Sequence, residues 1–172
     1  MTQYVLTAVG ADRSGLVHTL AHAVAEAGGN WLDSRMTKVA SCFAGIVLVD
    51  LGADGRQHLE STLETLRREG LEVTVTETTP ALSTDQNVLS VRLLGHDHPG
   101  IVRDLTATLA DLGVTLDEVT TRLREAPMGD GVLFEAEALC RVEGATTRED
   151  LREALESVAA ELVVEIDLVD RT

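Results

Sequence analysis

Aromatic side chains are nearly absent: Tyr4, Trp31, Phe43 and Phe134 are all that 172 residues contain. Stacking platforms for bases or sugar rings cannot be built from four scattered rings, and the core must be made of Val, Leu, Ile and Ala. Lysine is scarcer still, with Lys38 the single example among 14 basic residues, against 29 acidic ones. The resulting net charge of -15 repels a phosphate backbone, whose binding depends on Lys and Arg releasing counterions, and repels an anionic membrane equally. Cysteine is limited to Cys42 and Cys140, with no CxxC pair. The two are expected to be buried thiols in a reducing compartment. No apolar run approaches the ~18 residues of a membrane span, and the start of the chain lacks a basic segment followed by a long apolar one. A cytoplasmic protein is therefore expected, without a membrane contact. Nucleophile-elbow, phosphate-loop and HExxH metalloprotease patterns are missing as well.

What the chain does have is an internal repeat. YVLTAVGADRSGLV (4 to 17) matches LSVRLLGHDHPGIV (89 to 102) at an offset of 85 residues, and EAGGNWLD (26 to 33) falls on DLGVTLDE (111 to 118) at the same offset. A period this long suits two copies of one small domain, not a solenoid. The polar stretch TTPALSTDQN between the copies lacks periodicity and reads as a linker, giving domains at 1–78 and 87–172 joined by 79–86. Charge is divided unevenly, since residues 1 to 86 carry -5 and residues 87 to 172 carry -10. The second copy is thus the better face for a basic partner.

Each copy opens with a short apolar strand (Tyr4 to Val9; Val88 to Leu94), then a glycine, a polar turn and an amphipathic helix. Leu16, Leu20 and Val24 recur at helical spacing in the first, and Ile101, Leu105, Leu109 and Leu112 in the second. Both helices are expected to stop at a glycine, Gly28 and Gly113. Strands at 30–40, 43–51, 114–124 and 131–142 follow. Helices at 56–69 and 147–160 come next, and strands at 71–77 and 162–169 close the copies. The order β-α-β-β-α-β, written twice, specifies an α+β protein of two ferredoxin-like domains, each an antiparallel sheet with helices on one face. The other face of each sheet stays uncovered, and the apolar strands CFAGIVLV and GVLFEAEALC are expected to offer period-two faces that meet across an interface.

Function belongs to the turns between first strand and first helix, GADRSGLV (10 to 17) and GHDHPGIV (95 to 102). Glycines there let a ligand approach the backbone, and the helix start offers unpaired N–H donors that suit a small carboxylate. Asp12 and Asp97, equivalent by the repeat, stand where each can hold an ammonium group. Donors for a carboxylate beside an acceptor for an ammonium describe an amino-acid site. The alternative is that both aspartates cap their helices and the glycines only make turns.

A strand followed by G-x-D-x-x-G-[IL]-V and a helix ending in A-x-x-G-[GV]-[NT], present twice, resembles tandem ACT domains. The loop and strand APMGDGVLFEAEA (126 to 138) is similar to the branch of that family formed by glycine cleavage transcriptional repressors. The resemblance implies an amino-acid-responsive regulator without enzymatic activity or cofactor, controlling glycine cleavage genes or related metabolism through a protein partner such as a DNA-binding activator. It implies ligand contacts from Asp12, Arg13, Ser14, Gly15, Leu16 and Asn30 in the first copy, and from Asp97, His98, Pro99, Gly100, Ile101 and Thr115 in the second. The copies differ at Arg13-Ser14 against His98-Pro99 and at Asn30 against Thr115, so two equal sites are not expected. A homodimer is an expected assembly, and an assembly subunit without ligand sensing is the alternative function.

Other clusters are weighed against this reading. His18 and His22 are four apart on a helix, and His96 and His98 flank Asp97, but neither group carries the three or four ligands a zinc site wants. Arg122 and Arg124 share a strand face and could bind an anion, but read rather as a solvated edge. Arg67-Arg68 ends a helix beside Glu64 and Glu69, which suits the helix dipole and local ion pairs.

Overall fold

The computed structural model describes residues 1–79, 88–126, 131–142 and 146–170. Two compact units divide the chain, Met1–Leu82 and Ser83–Thr172. All but Thr79 of the stretch read as a linker lies outside the described residues, as do residues 127–130 of the APMGDG loop.

The first unit runs β1 (Thr2–Ala11), α1 (Leu16–Glu26), β2 (Asn30–Val39), β3 (Cys42–Leu51), α2 (Gly55–Arg68) and β4 (Leu71–Thr78). The second runs β5 (Val88–His96), α3 (Ile101–Asp111), β6 (Val114–Glu125), β7 (Val132–Val142), α4 (Arg148–Leu162) and β8 (Val164–Asp170). The sheets are ordered β2-β3-β1-β4 and β6-β7-β5-β8, with every pair antiparallel. This is the ferredoxin-like pattern twice over.

Strand alternation builds each core. In β1, Tyr4, Leu6 and Ala8 are buried, and Leu6 lies in register between Val47 of β3 and Val75 of β4. Leu16, Leu20 and Val24 of α1 and Leu59, Leu63 and Leu66 of α2 cover that face. Each such side chain contributes about 1.5 to 3 kcal/mol through removal from water. The second core repeats the plan with Val91 and Leu93 of β5, Leu105 and Leu109 of α3, and Leu151 and Leu155 of α4. Helix α1 ends as its glycines predict, for Gly28 takes φ 67° and the N–H groups of Gly28 and Gly29 donate to the carbonyls of Ala25 and Val24.

A bulge in β2 decides which side chains reach the loop end of the sheet. The register shifts between Trp31 and Asp33, so that Lys38 lies opposite Phe43, on the face that carries the helices. An equivalent shift between Leu116 and Glu118 in β6 brings Leu123 opposite Phe134. Lys38 and Leu123 are therefore structural counterparts.

Two expectations need correction. Cys42 is exposed, not buried, because it opens β3 at the hairpin and alternates with buried Phe43, whereas Cys140 is fully buried. The second sheet does not leave an apolar face uncovered. Phe134, Ala136, Ala138 and Cys140 of GVLFEAEALC all turn toward the helices, which leaves Glu135, Glu137 and Arg141 on the opposite face among Leu133 and Leu139.

Candidate ligand site

Both strand-to-helix turns are shaped by a pair of glycines whose reasons differ. A Cβ at Gly10 would lie 2.6 Å from the Gly70 carbonyl oxygen, and one at Gly95 would lie 2.2 Å from Cγ1 of Val164, so closeness of the neighbouring strand excludes a side chain. Gly15 and Gly100 instead take φ 89° and 100°, left-handed values that an L side chain rarely adopts. Between the glycines, each turn hangs from the neighbouring hairpin. The Asp12 N–H donates to the Ser41 carbonyl at 2.9 Å, and the Asp97 N–H to the Val132 carbonyl at 3.0 Å.

Neither α1 nor α3 has a side-chain cap, so the capping role for Asp12 and Asp97 is not what the structure contains. Leu16 and Ile101 are buried and fasten the helix starts into their cores, leaving only backbone to face a ligand. The first-turn donors of both helices are uncapped beside a carboxylate.

The two carboxylates differ in their company. Oδ2 of Asp12 sits 2.5 Å from the Lys38 Nζ, so the first unit already supplies an ammonium to its own aspartate. Leu123 takes the lysine's place in the second unit, and Asp97 has no ion-pair partner among the described residues. Nearby, Arg103 engages Asp104 through both oxygens, at 2.6 and 3.1 Å, and holds its carboxyl below the ordinary range. That pairing offsets the one acidic side chain in the first turn of α3. His98 is half-buried, with Nδ1 3.3 Å from the Pro99 carbonyl oxygen; Pro99 is exposed. In the first unit Arg13 reaches Glu69 at 3.4 Å and Ser14 is exposed.

Asn30 and Thr115 are not brought to these turns. Asn30 pairs with Asp50, which pairs with Gln3, whereas the turn follows Ala11, eight residues further along β1. At 3.3 Å per residue the separation is about 25 Å. Thr115, opposite Arg141, is likewise at the far end of its sheet from Gly95. Within one unit no single small molecule touches both patches. One oxygen of Asp50, Oδ1, is buried beside Asn30 without a hydrogen-bond partner among the described residues.

Sequence reasoning missed Lys38 as the partner of Asp12, because the contact depends on the β2 bulge and the hairpin register. It also missed a concavity of about 410 Å³ on the free face of the second sheet, lined by Arg92, Thr120, Arg122, Glu137, Glu165 and Asp167 among others. Arg122 and Arg124 are not a bare solvated edge there: both pair with Glu135, and the Arg122 hydrogen bond is the main cause that lowers the Glu135 pKa. Arg67 pairs with Glu64 at 2.7 Å. His18 and His22 lie side by side with ring centroids 6.2 Å apart, His22 Nδ1 is 3.3 Å from Glu26, and no metal-sized group of three ligands occurs among the described residues.

Residues 2–76 match the family model of the ACT domain. A crystal structure of an unknown protein from Galdieria sulphuraria superposes with a TM-score of 0.84 at 29% identity, over 99% of each chain. A second, of a protein provisionally described as a glycine cleavage system transcriptional repressor, gives 0.73 at 22% identity, over 97% of this chain and 95% of that one. No curated protein matches the chain.

Proposed function

We propose, from the premise that the first unit is an ACT domain and the second repeats its topology, that this is a regulatory protein which binds an amino acid and acts through a protein partner. The uncapped helix start beside Asp97, which has no ion-pair partner among the described residues, carries the reading. Its N–H donors suit an α-carboxylate and Asp97 suits an α-ammonium, whereas Asp12 is already neutralised by Lys38. The second unit is the sensing one and the first is chiefly structural. Glycine is the first amino acid to test, by analogy with the repressor of similar fold.

A site that needs both the Asp97 turn and a residue like Thr115 is incomplete within one unit, which supports the proposal of a homodimer. Light scattering checks it: a mass of 18.4 kDa at all concentrations would remove the dimer. The net charge of -15 supports regulation without DNA contact, and retention of promoter DNA by the purified chain in near-physiological salt would overturn that part.

The decisive measurement is calorimetric titration with the common amino acids at millimolar concentration. One of them is expected to bind, to lose about tenfold or more in affinity in Asp97→Asn, and to be little affected by Asp12→Asn. No binding by any amino acid, or equal sensitivity to the two substitutions, would overturn the assignment. An assembly subunit without sensing is the reading that would then stand.

A further inference from the structure

We propose that the free face of the β6-β7-β5-β8 sheet is the docking surface for a basic, extended segment of a protein partner. The inference deepens the reading above by giving that partner a chemistry and a place. It does not depend on which amino acid is sensed.

Across β7 and β5, Glu137 holds Arg92 through Nε and Nη2, each at 3.2 Å from Oε1. Next to that rung, Glu135 holds Arg122 and Arg124. The arginines are thereby committed to β7. On β8, Glu165 and Asp167 point to the same face, both exposed, and have no ion-pair partner among the described residues. Asp167 is in register with Arg92, yet the guanidinium turns to Glu137 on the other side. The concavity of about 410 Å³ therefore has a wall of spent cations and a wall of unspent carboxylates.

The first unit isolates what is special here. Its corresponding free face bears Val5, Thr7 and Val9 on β1 and Ala44, Ile46 and Leu48 on β3, and its ion pair there, Arg35 with Asp33 at 2.8 Å, lies within the single strand β2, so among the described residues the rungs that join neighbouring strands belong to the second copy. The second half of the chain also carries the larger share of negative charge, -10 of -15. Complementarity thus selects a partner rich in arginine or lysine. Strand β8 is at the edge of its sheet, and its carboxylates repeat every second residue. An extended segment lying along it meets them with its own alternate side chains, at the same two-residue spacing.

The test uses the full chain and a labelled peptide of alternating arginine and threonine, with a glutamate-threonine peptide as control, followed by fluorescence anisotropy at low salt. Binding of the arginine peptide alone is expected, weakening about tenfold or more in the Glu165→Gln, Asp167→Asn double variant. Removing two charges from α4 instead, Glu153→Gln with Glu156→Gln, should change affinity less than twofold, as expected for distant exposed charges. Absence of binding, or equal weakening by the two double variants, would overturn the proposal. Spermine provides the small-cation comparison, and if it competes at the peptide's own concentration the occupant is a free polyamine and the protein-partner assignment falls. Asp97→Asn separates the two readings: it should weaken amino-acid binding about tenfold or more and leave peptide affinity unchanged.

Discussion

One methylene-linked ammonium distinguishes the two copies at the residue scale. Asp12 and Asp97 occupy the same point of the same turn, and the difference in what they can bind comes from Lys38 against Leu123, a position 26 residues downstream. The thiols differ as sharply. Burial pushes Cys140 up to about 11, with the Asp117 charge adding to the effect, so it remains a protonated, inert thiol at neutral pH; Cys42 is exposed at the hairpin. A thiol-specific chromogenic reagent at mildly alkaline pH is expected to label one cysteine per native chain at once and the second only after denaturant is added. Cys42→Ser should abolish the fast phase. Two fast thiols in the native protein would show that the second core opens readily.

Among the elements, the junction of α4 and β8 has an evident defect. Val163 closes the helix at φ 55°, in the left-handed region that a β-branched residue tolerates poorly, and the residue is 82% exposed, so little burial offsets the strain. The corresponding junction of α2 and β4 uses Gly70 at φ 88°. Val163→Gly should stabilise the second unit by about 1 kcal/mol and raise its Tm by several degrees, as a calorimetric scan would report. Gly70→Val, the reverse change in the first unit, should lower its Tm. An unchanged Tm for Val163→Gly would mean that the lost freedom of glycine in the unfolded chain cancels the relieved strain. At its other end α4 is well made, with Thr147 and Asp150 forming a reciprocal capping box.

For the whole molecule, the informative feature is that each unit closes its core with its own residues: Tyr4 to Val73 in the first, Leu89 to Leu155 in the second. Residues 1–82 expressed alone should fold, giving a mixed α/β far-UV spectrum and one cooperative thermal transition. A random-coil spectrum would show that burial within the unit is insufficient for ~80 residues, where domains are marginal. Differences in charge matter at this scale too. The repeat keeps the fold constant while the free sheet faces diverge, with Val, Thr and Ile on the two central strands of one unit and ion pairs from strand to strand in the other.

The sequence by itself determined the repeat, the βαββαβ order and nearly every element boundary to within two or three residues, because these follow from local signals. Period-two and period-3.6 apolar patterns, Gly28 and Gly113 after their helices, and Gly15 and Gly100 in the turns are all legible without a partner strand. Tertiary structure decided whatever depends on register. The bulges at Trp31/Asp33 and Leu116/Glu118 rephase β2 and β6, and that is what gives Asp12 its lysine, while hairpin phase alone exposes Cys42. Only strand order could place Asn30 and Thr115 about 25 Å from the turns with which they were grouped. The charged face of the second sheet has the same origin: Glu135, Glu137, Glu165, Asp167, Arg92 and Arg122 are scattered over 76 residues, and antiparallel pairing of β6, β7, β5 and β8 assembles them side by side. A one-residue slip in any strand would have turned its members of that set toward the helices.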